Sequence, residues 1–219
     1  MKKILVILAK SAKYGNYCVA GIELSTNKWI RPISHDEKIE DAVPATDLIY
    51  SDNTEAQILD VVEIDFEDTP AENKIQPENF FYKNSTWKKL GHWNLANVEK
   101  FCGFDTADFI FYDTSRRLEL STIENFERRK SLLLLPLENI SIVTEIRDAE
   151  KKFHANFNYE GARYERFGVG DIELRKNFSD KECGEFFIGE RAVATLSLTN
   201  PYKDNRCYKM LANLLLNTP

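Results

Sequence analysis

Apolar residues in this chain come in short runs and two-residue alternations, cut at nearly every step by turn residues, and that pattern restricts it to a mainly β fold. Residues 4–9 form an unbroken apolar run, followed by a loop-like stretch over 10–16. Residues 17–24 and 28–33 read as two further strands, with Ser25-Thr26-Asn27 supplying the turn between them. From 58 to 66 the chain alternates: Val62, Ile64 and Phe66 fall on one face and Val61, Glu63, Asp65 and Glu67 on the other. That is a half-buried strand with a wet, acidic side.

Helical signals gather in the middle. Asn94 suits the cap of a helix over 95–102 that stops at Gly103, and Ser121-Thr122-Ile123-Glu124 reads as a capping box opening a short helix through Arg129. Beyond it come strands at 132–135 and 140–146 around Pro136, then a hairpin of 153–159 and 162–167 turning at Glu160-Gly161. Strands at 192–198 and 207–216 close the chain. The expected division is 1–86, a helical connecting segment 87–130, and 131–219. The two β-rich portions share an Asn-x-Cys opening, at Asn16-Tyr17-Cys18 and Asn205-Arg206-Cys207, as distant copies would.

Several classes drop out. No apolar run approaches the roughly 20 residues of a membrane span, and Lys10 and Lys13 cut the first run too short for a secretory leader. The start therefore reads as a buried strand and the chain as cytoplasmic. Cys18, Cys102, Cys183 and Cys207 lack metal-ligand spacing and are expected as reduced, mostly buried thiols. One glycine, followed by a β-branched strand, does not make a dinucleotide loop. His35, His92 and His154 are far apart, so no cofactor or metal is expected.

Net charge is −6, but residues 1–34 carry six Lys/Arg against one acid, and residues 35–85 carry three against fourteen. Such a split along the chain implies a polarised surface.

Three stretches resemble the dual-OB-containing domain family of prokaryotic proteins. The first runs from Lys10-Ser11 through Cys18-Val19-Ala20-Gly21-Ile22 to Trp29-Ile30-Arg31-Pro32-Ile33-Ser34. The second is Gln76-Pro77-Glu78-Asn79. The third is Ser197-Leu198-Thr199-Asn200-Pro201-Tyr202 followed by Tyr208-Lys209-Met210-Leu211-Ala212. One departure is Asn200, where the family motif carries an acid before its proline. The resemblance implies two OB-like β-barrels, with 1–86 and 131–219 as the barrels. It also implies nucleic-acid binding, in a bacterial defence or mobile-element setting.

OB barrels hold single strands with basic groups along phosphates and aromatic rings under bases. The first portion offers Lys10, Lys13, Lys28 and Arg31 for phosphate, Tyr14, Tyr17 and Trp29 for stacking, and Ser11 beside them. Gln76, Glu78 and Asn79 form a polar loop cluster able to read a base edge. Ser197, Tyr208 and Lys209 would repeat stack and clamp in the second barrel. The main expectation is a non-catalytic nucleic-acid-binding protein favouring single strands or ends, DNA or RNA. An alternative is a protein- or peptide-interaction module using the acidic residues of 35–85. A further one is a Mg²⁺-dependent nuclease on Asp60, Glu63 and Asp65, though the alternation also accounts for these acids as a solvated face.

Overall fold

The computed structural model describes residues 1–13, 15–83, 86–125 and 129–216. They divide into two units: Met1–Asn73 with Pro77–Gly103, and Lys74–Gln76 with the chain from Phe104 onward.

The first unit is built on β1 (Lys2–Lys13), β2 (Asn16–Glu23), β3 (Trp29–Ile33), β4 (Asp60–Asp65), β5 (Asn79–Phe81) and β6 (Lys88–His92), in the order β5-β3-β2-β1-β4-β6. β1 is apolar on both faces because both are buried: Leu5 and Ile7 point to the core, and Val6 and Leu8, which alternate with them, are equally covered. β2 comes so close to β1 that a Cβ on Gly21 would lie 2.3 Å from the Val6 carbonyl oxygen. β3 and β5 run parallel, with Arg31 opposite Asn79, and an antiparallel bridge between Phe66 and Tyr82 joins the end of β4 to the end of β5. Five strands thus close as β1-β2-β3-β5-β4-β1, around a core that includes Leu5, Ile7, Val19, Ile30, Val62, Ile64, Phe66 and Trp87. α1 (Leu95–Phe101) follows β6, capped reciprocally by Asn94 and Asn97.

The second unit repeats this circuit. Its strands are β7 (Arg117–Glu119), β8 (Leu132–Arg147), β9 (Glu150–Tyr159), β10 (Ala162–Val169), β11 (Gly184–Leu198) and β12 (Arg206–Leu216), with α2 (Leu120–Glu124) and α3 (Ile172–Ser179). The ladder β10-β9-β8-β11-β12 is closed by a parallel β10–β12 pairing, so the circuit is β8-β9-β10-β12-β11-β8. α3 lies between the third and fourth barrel strands. Two such five-stranded Greek-key barrels are the OB architecture. The chain is mainly β, as expected.

The hairpin at Glu160-Gly161 forms with positive φ at both residues (48° and 73°), the twist-matched turn for such a pair. Several local expectations need correction. Residues 10–13 are not a loop but the second half of β1. Pro136 does not divide two strands. It sits inside β8, where β11 is paired and β9 has not yet joined, so its missing N–H need not interrupt a two-sided ladder. The stretch 87–130 contains α1 and α2 but also contributes β6 to the first sheet and β7 to the second. α2 starts at Leu120 without a side-chain cap from Ser121, and residues 126–128 of its expected continuation lie outside the described residues. α3, outside the helical middle, was not expected; buried Asp171 caps it, accepting from the Leu174 N–H and, through its other oxygen, from the Leu214 N–H. The two Asn-x-Cys openings lie on the second strand of one barrel and the fifth of the other, so they are not equivalent positions. All four cysteines are free thiols, but only Cys207 is fully buried. Among the described residues no helix is long and apolar enough to cross a membrane.

Candidate functional site

In an OB barrel the ligand surface is the face of the second and third strands together with the loops after the first and fourth. In the first barrel that means β2, β3, the turn after Lys13, and the parts of the β4–β5 connection that belong to the first unit, 66–73 and 77–78.

Lys10, on β1, extends its Nζ over the Tyr17 ring at 4.8 Å and donates to Glu55 (2.6 Å) and to the Ala56 carbonyl (2.8 Å). Lys13 donates to the Glu40 carbonyl at 2.6 Å and pairs with its carboxylate at 3.5 Å. Ser11 is half-buried opposite Cys18, and Trp29 half-buried opposite Ile22. Tyr14 lies outside the described residues. Lys28 is exposed. Arg31 is buried, with Nη1 donating to Asn79 Oδ1 at 3.1 Å and its backbone N–H to the Glu78 carbonyl at 2.8 Å. Burial lowers its pKa, and the Glu78 carboxylate opposes that. The same neighbourhood acts on Cys18: burial raises the thiol, against the charges of Lys13 and Arg31.

The structure therefore brings Arg31, Glu78 and Asn79 together across the parallel β3–β5 pair. Gln76 belongs to the second unit, where its Nε2 donates to the Leu198 carbonyl at 2.9 Å beside core residue Ile75.

The charge split also resolves differently in space. Lys2, Lys10 and Lys13 close on Glu63, Glu55 and Glu40, so the basic opening and the acidic stretch meet as ion pairs instead of forming opposed faces. Asp60 is not part of a solvated face. It is fully buried, with one oxygen taking Lys89 (2.7 Å) and His92 Nδ1 (2.9 Å) and the other taking the Tyr50 hydroxyl (2.9 Å) and the Gln57 N–H (3.0 Å). Burial opposes its ionisation, but these bonds outweigh it and hold the carboxyl below its ordinary range. Glu63 pairs with Lys2, and Asp65 with Lys83 and the N-terminus. Among the described residues no cluster of three His, Cys, Asp or Glu side chains could hold a metal ion.

In the second barrel the loop between the fourth and fifth strands is a tight turn. The Tyr202 N–H donates to the Arg206 carbonyl and the Asn205 N–H to the Tyr202 carbonyl, both at 2.9 Å. Tyr202 is 59 % exposed and meets Tyr208 edge-to-face, centroids 5.4 Å apart. The Tyr208 hydroxyl donates to Asp204 at 2.7 Å, which raises its pKa, while Arg117, opposite it on β7, opposes the rise. Ser197 is half-buried on β11, opposite Met210. Lys209 is no clamp at the surface. It is 1 % exposed, and its Nζ donates to the Ile110 carbonyl (2.6 Å), the Asp113 carbonyl (2.7 Å) and Asp113 Oδ1 (2.8 Å). Burial pulls it down to about 8 against the pull of Asp113.

Sequence reasoning passed over the outward side of β8–β10. There Glu145 receives Arg166 and His154, and Asn156 takes the Arg166 N–H while donating to Glu185. The alternation of His154, Asn156 and Asn158 between inward Ala155, Phe157 and Tyr159 was the available signal.

With both circuits and their loops described, the comparison with known families becomes decisive: residues 3–214 match the Dual OB-containing domain. The chain belongs to the dual OB-containing domain family. No curated protein and no solved structure matches it. For this dual-OB chain the family and the strand order agree independently, since the order follows from hydrogen-bonded pairings alone.

Proposed function

We propose that this dual-OB chain binds nucleic acid without transforming it, favouring single strands or ends. The observation that carries this reading is the pair formed by Tyr202, on the loop between the fourth and fifth strands of the second barrel, and Tyr208, near the start of the fifth strand, with Arg117 beside the Tyr208 hydroxyl. An exposed ring on a stiff turn offers a base a stacking partner that loses little freedom on binding, and such a stack is worth about 1–3 kcal/mol. Arg117 and exposed Lys203 supply positive charge for the adjoining phosphates. In the first barrel, Lys13 and Trp29 at the rim and the Arg31–Asn79 pair at the third and fifth strands remain the proposed contacts. We give them a supporting share, because Lys13 is already paired with Glu40 and Arg31 and Asn79 are buried.

Photo-crosslinking tests this directly. A single-stranded oligonucleotide carrying a halogenated pyrimidine, irradiated with the protein and mapped by mass spectrometry, should mark Tyr202 or Tyr208 first. Adducts confined to other surfaces would remove the tyrosine pair from the interface. Cleavage of the oligonucleotide on adding Mg²⁺ would overturn the non-catalytic reading.

A further inference from the structure

A cavity whose lining includes neither Tyr202 nor Tyr208 carries more specific chemistry. It lies in the second unit, where the segment after Phe104 crosses the barrel. Its volume is about 270 Å³, and its lining includes Thr106, Asp108, Phe109, Tyr112, Lys130 and Leu133. Phe109 is 49 % exposed at its edge. Lys130 holds Asp105 at 3.1 Å with a side chain 55 % exposed.

The wall of this cavity is strained and held. Phe111 and Tyr112, both non-glycine, have positive φ (45° and 78°) in succession. Each such residue costs on the order of 1–3 kcal/mol and persists only where its surroundings fix it. Here the surroundings are explicit. The buried Lys209 ammonium takes the carbonyls of Ile110 and Asp113, the residues on either side of the strained pair. The Ile110 N–H donates to the Tyr164 hydroxyl at 3.3 Å, and the Tyr159 hydroxyl donates to the Ala107 carbonyl at 2.8 Å. Three barrel side chains thus pin one arch, so the cavity is formed in advance of any ligand.

Its size and lining select the occupant. Pockets for drug-sized ligands begin near 300 Å³, so this one suits a single small, planar group. Phe109, Tyr112 and Leu133 offer aromatic and apolar contact, Asp108 and Thr106 offer acceptors for an exocyclic amine, and Lys130 offers an ammonium for an anion. We propose that the cavity takes one unstacked nucleotide, its base against Phe109 and its phosphate on Lys130, either free or as one residue of a strand. This deepens the nucleic-acid reading and rests on it.

The test uses 2-aminopurine, whose fluorescence is quenched by aromatic contact, on the full chain. The probes are the free 2-aminopurine nucleoside monophosphate and single strands carrying it at an end or internally. Saturable quenching of the free nucleotide is expected, together with quenching of one strand. Whichever strand responds names the terminal or the internal base, and quenching of the free nucleotide alone assigns the cavity to mononucleotides. Phe109→Ala and Lys130→Ala, both on exposed side chains and checked for folding by circular dichroism, should each weaken it about tenfold, within the range for one stacked base. Quenching that survives both cavity variants, or none at all while polarisation still detects strand binding, would overturn the cavity proposal alone. No quenching and no strand binding would overturn both readings.

Discussion

Asp60→Asn separates a structural knot from a metal ligand, because it keeps the shape of the side chain and removes its charge. In the wild-type chain the carboxylate satisfies four donors from two places: Lys89 and His92 on β6, and Tyr50 and Gln57 in the segment before β4. An amide keeps one acceptor oxygen and turns its NH₂ toward the other two donors. With the oxygen kept on Tyr50 and Gln57, the bonds lost are those from Lys89 and His92. A hydrogen bond to a charged group contributes about 1.5–3 kcal/mol. Lys89 and His92 are 38 % and 55 % exposed and regain water, so the lower end applies and the loss comes to about 3 kcal/mol for the pair. In urea, with a slope of about 2 kcal/mol per molar, the midpoint should fall by about 1.5 M with the slope unchanged. A second signature lies in pH. The Asp60 carboxyl is held low, so its contribution is present above the unfolded value of about 3.9 and is lost as pH falls through the folded value. The variant should therefore show a flatter acid limb below about pH 4. A loss under about 1 kcal/mol would refute the knot. Unchanged stability together with loss of a Mg²⁺-dependent cleavage would show that the acid serves a metal.

Three other outcomes follow from the geometry. Tyr202→Ala should weaken single-strand binding about 5- to 150-fold, the equivalent of one stacked base, measured by fluorescence polarisation with circular dichroism unchanged. His154 is buried, its Nδ1 finds no partner among the described residues, and burial and then Arg166 lower its pKa against the pull of Glu145. Its folded value is thus below the unfolded one, so stability falls as pH drops through about 6.5, and His154→Leu should reduce the fall in Tm between about pH 7 and 5. Gly21→Ala should cost about 1–3 kcal/mol or more by thermal unfolding, because the new methyl meets the Val6 carbonyl oxygen at 2.3 Å.

Local chemistry was readable along the chain wherever one periodicity dominated. The alternation ending in Phe66, the Glu160-Gly161 turn and the Asn94 cap all appear where their residues imply. α3 escaped because its buried side is only Leu174 and Phe178, too sparse a stripe to read as helical period. The site was less legible, for two physical reasons. Charge counted along the sequence says nothing about pairing in space, and the lysines of β1 spend theirs on Glu63, Glu55 and Glu40. A lysine next to a half-exposed tyrosine also suggests a surface clamp, yet in β12 the alternation Cys207, Lys209, Leu211 already assigns Lys209 to the inward side. Tyr202, by contrast, sits in a turn whose sequence, Asn200-Pro201-Tyr202, announces a loop but not the exposure of the ring.

The central claim is that a strand of nucleic acid is the ligand, and its salt dependence tests that most directly. Polarisation titrations of labelled single-stranded DNA, single-stranded RNA and duplex, repeated across a series of salt concentrations, give the slope of log affinity against log salt. The account predicts tighter binding to a single strand than to duplex, with affinity falling by a slope of about 0.7 for each phosphate neutralised. Binding that ignores salt, or no binding to any of the three, would contradict it.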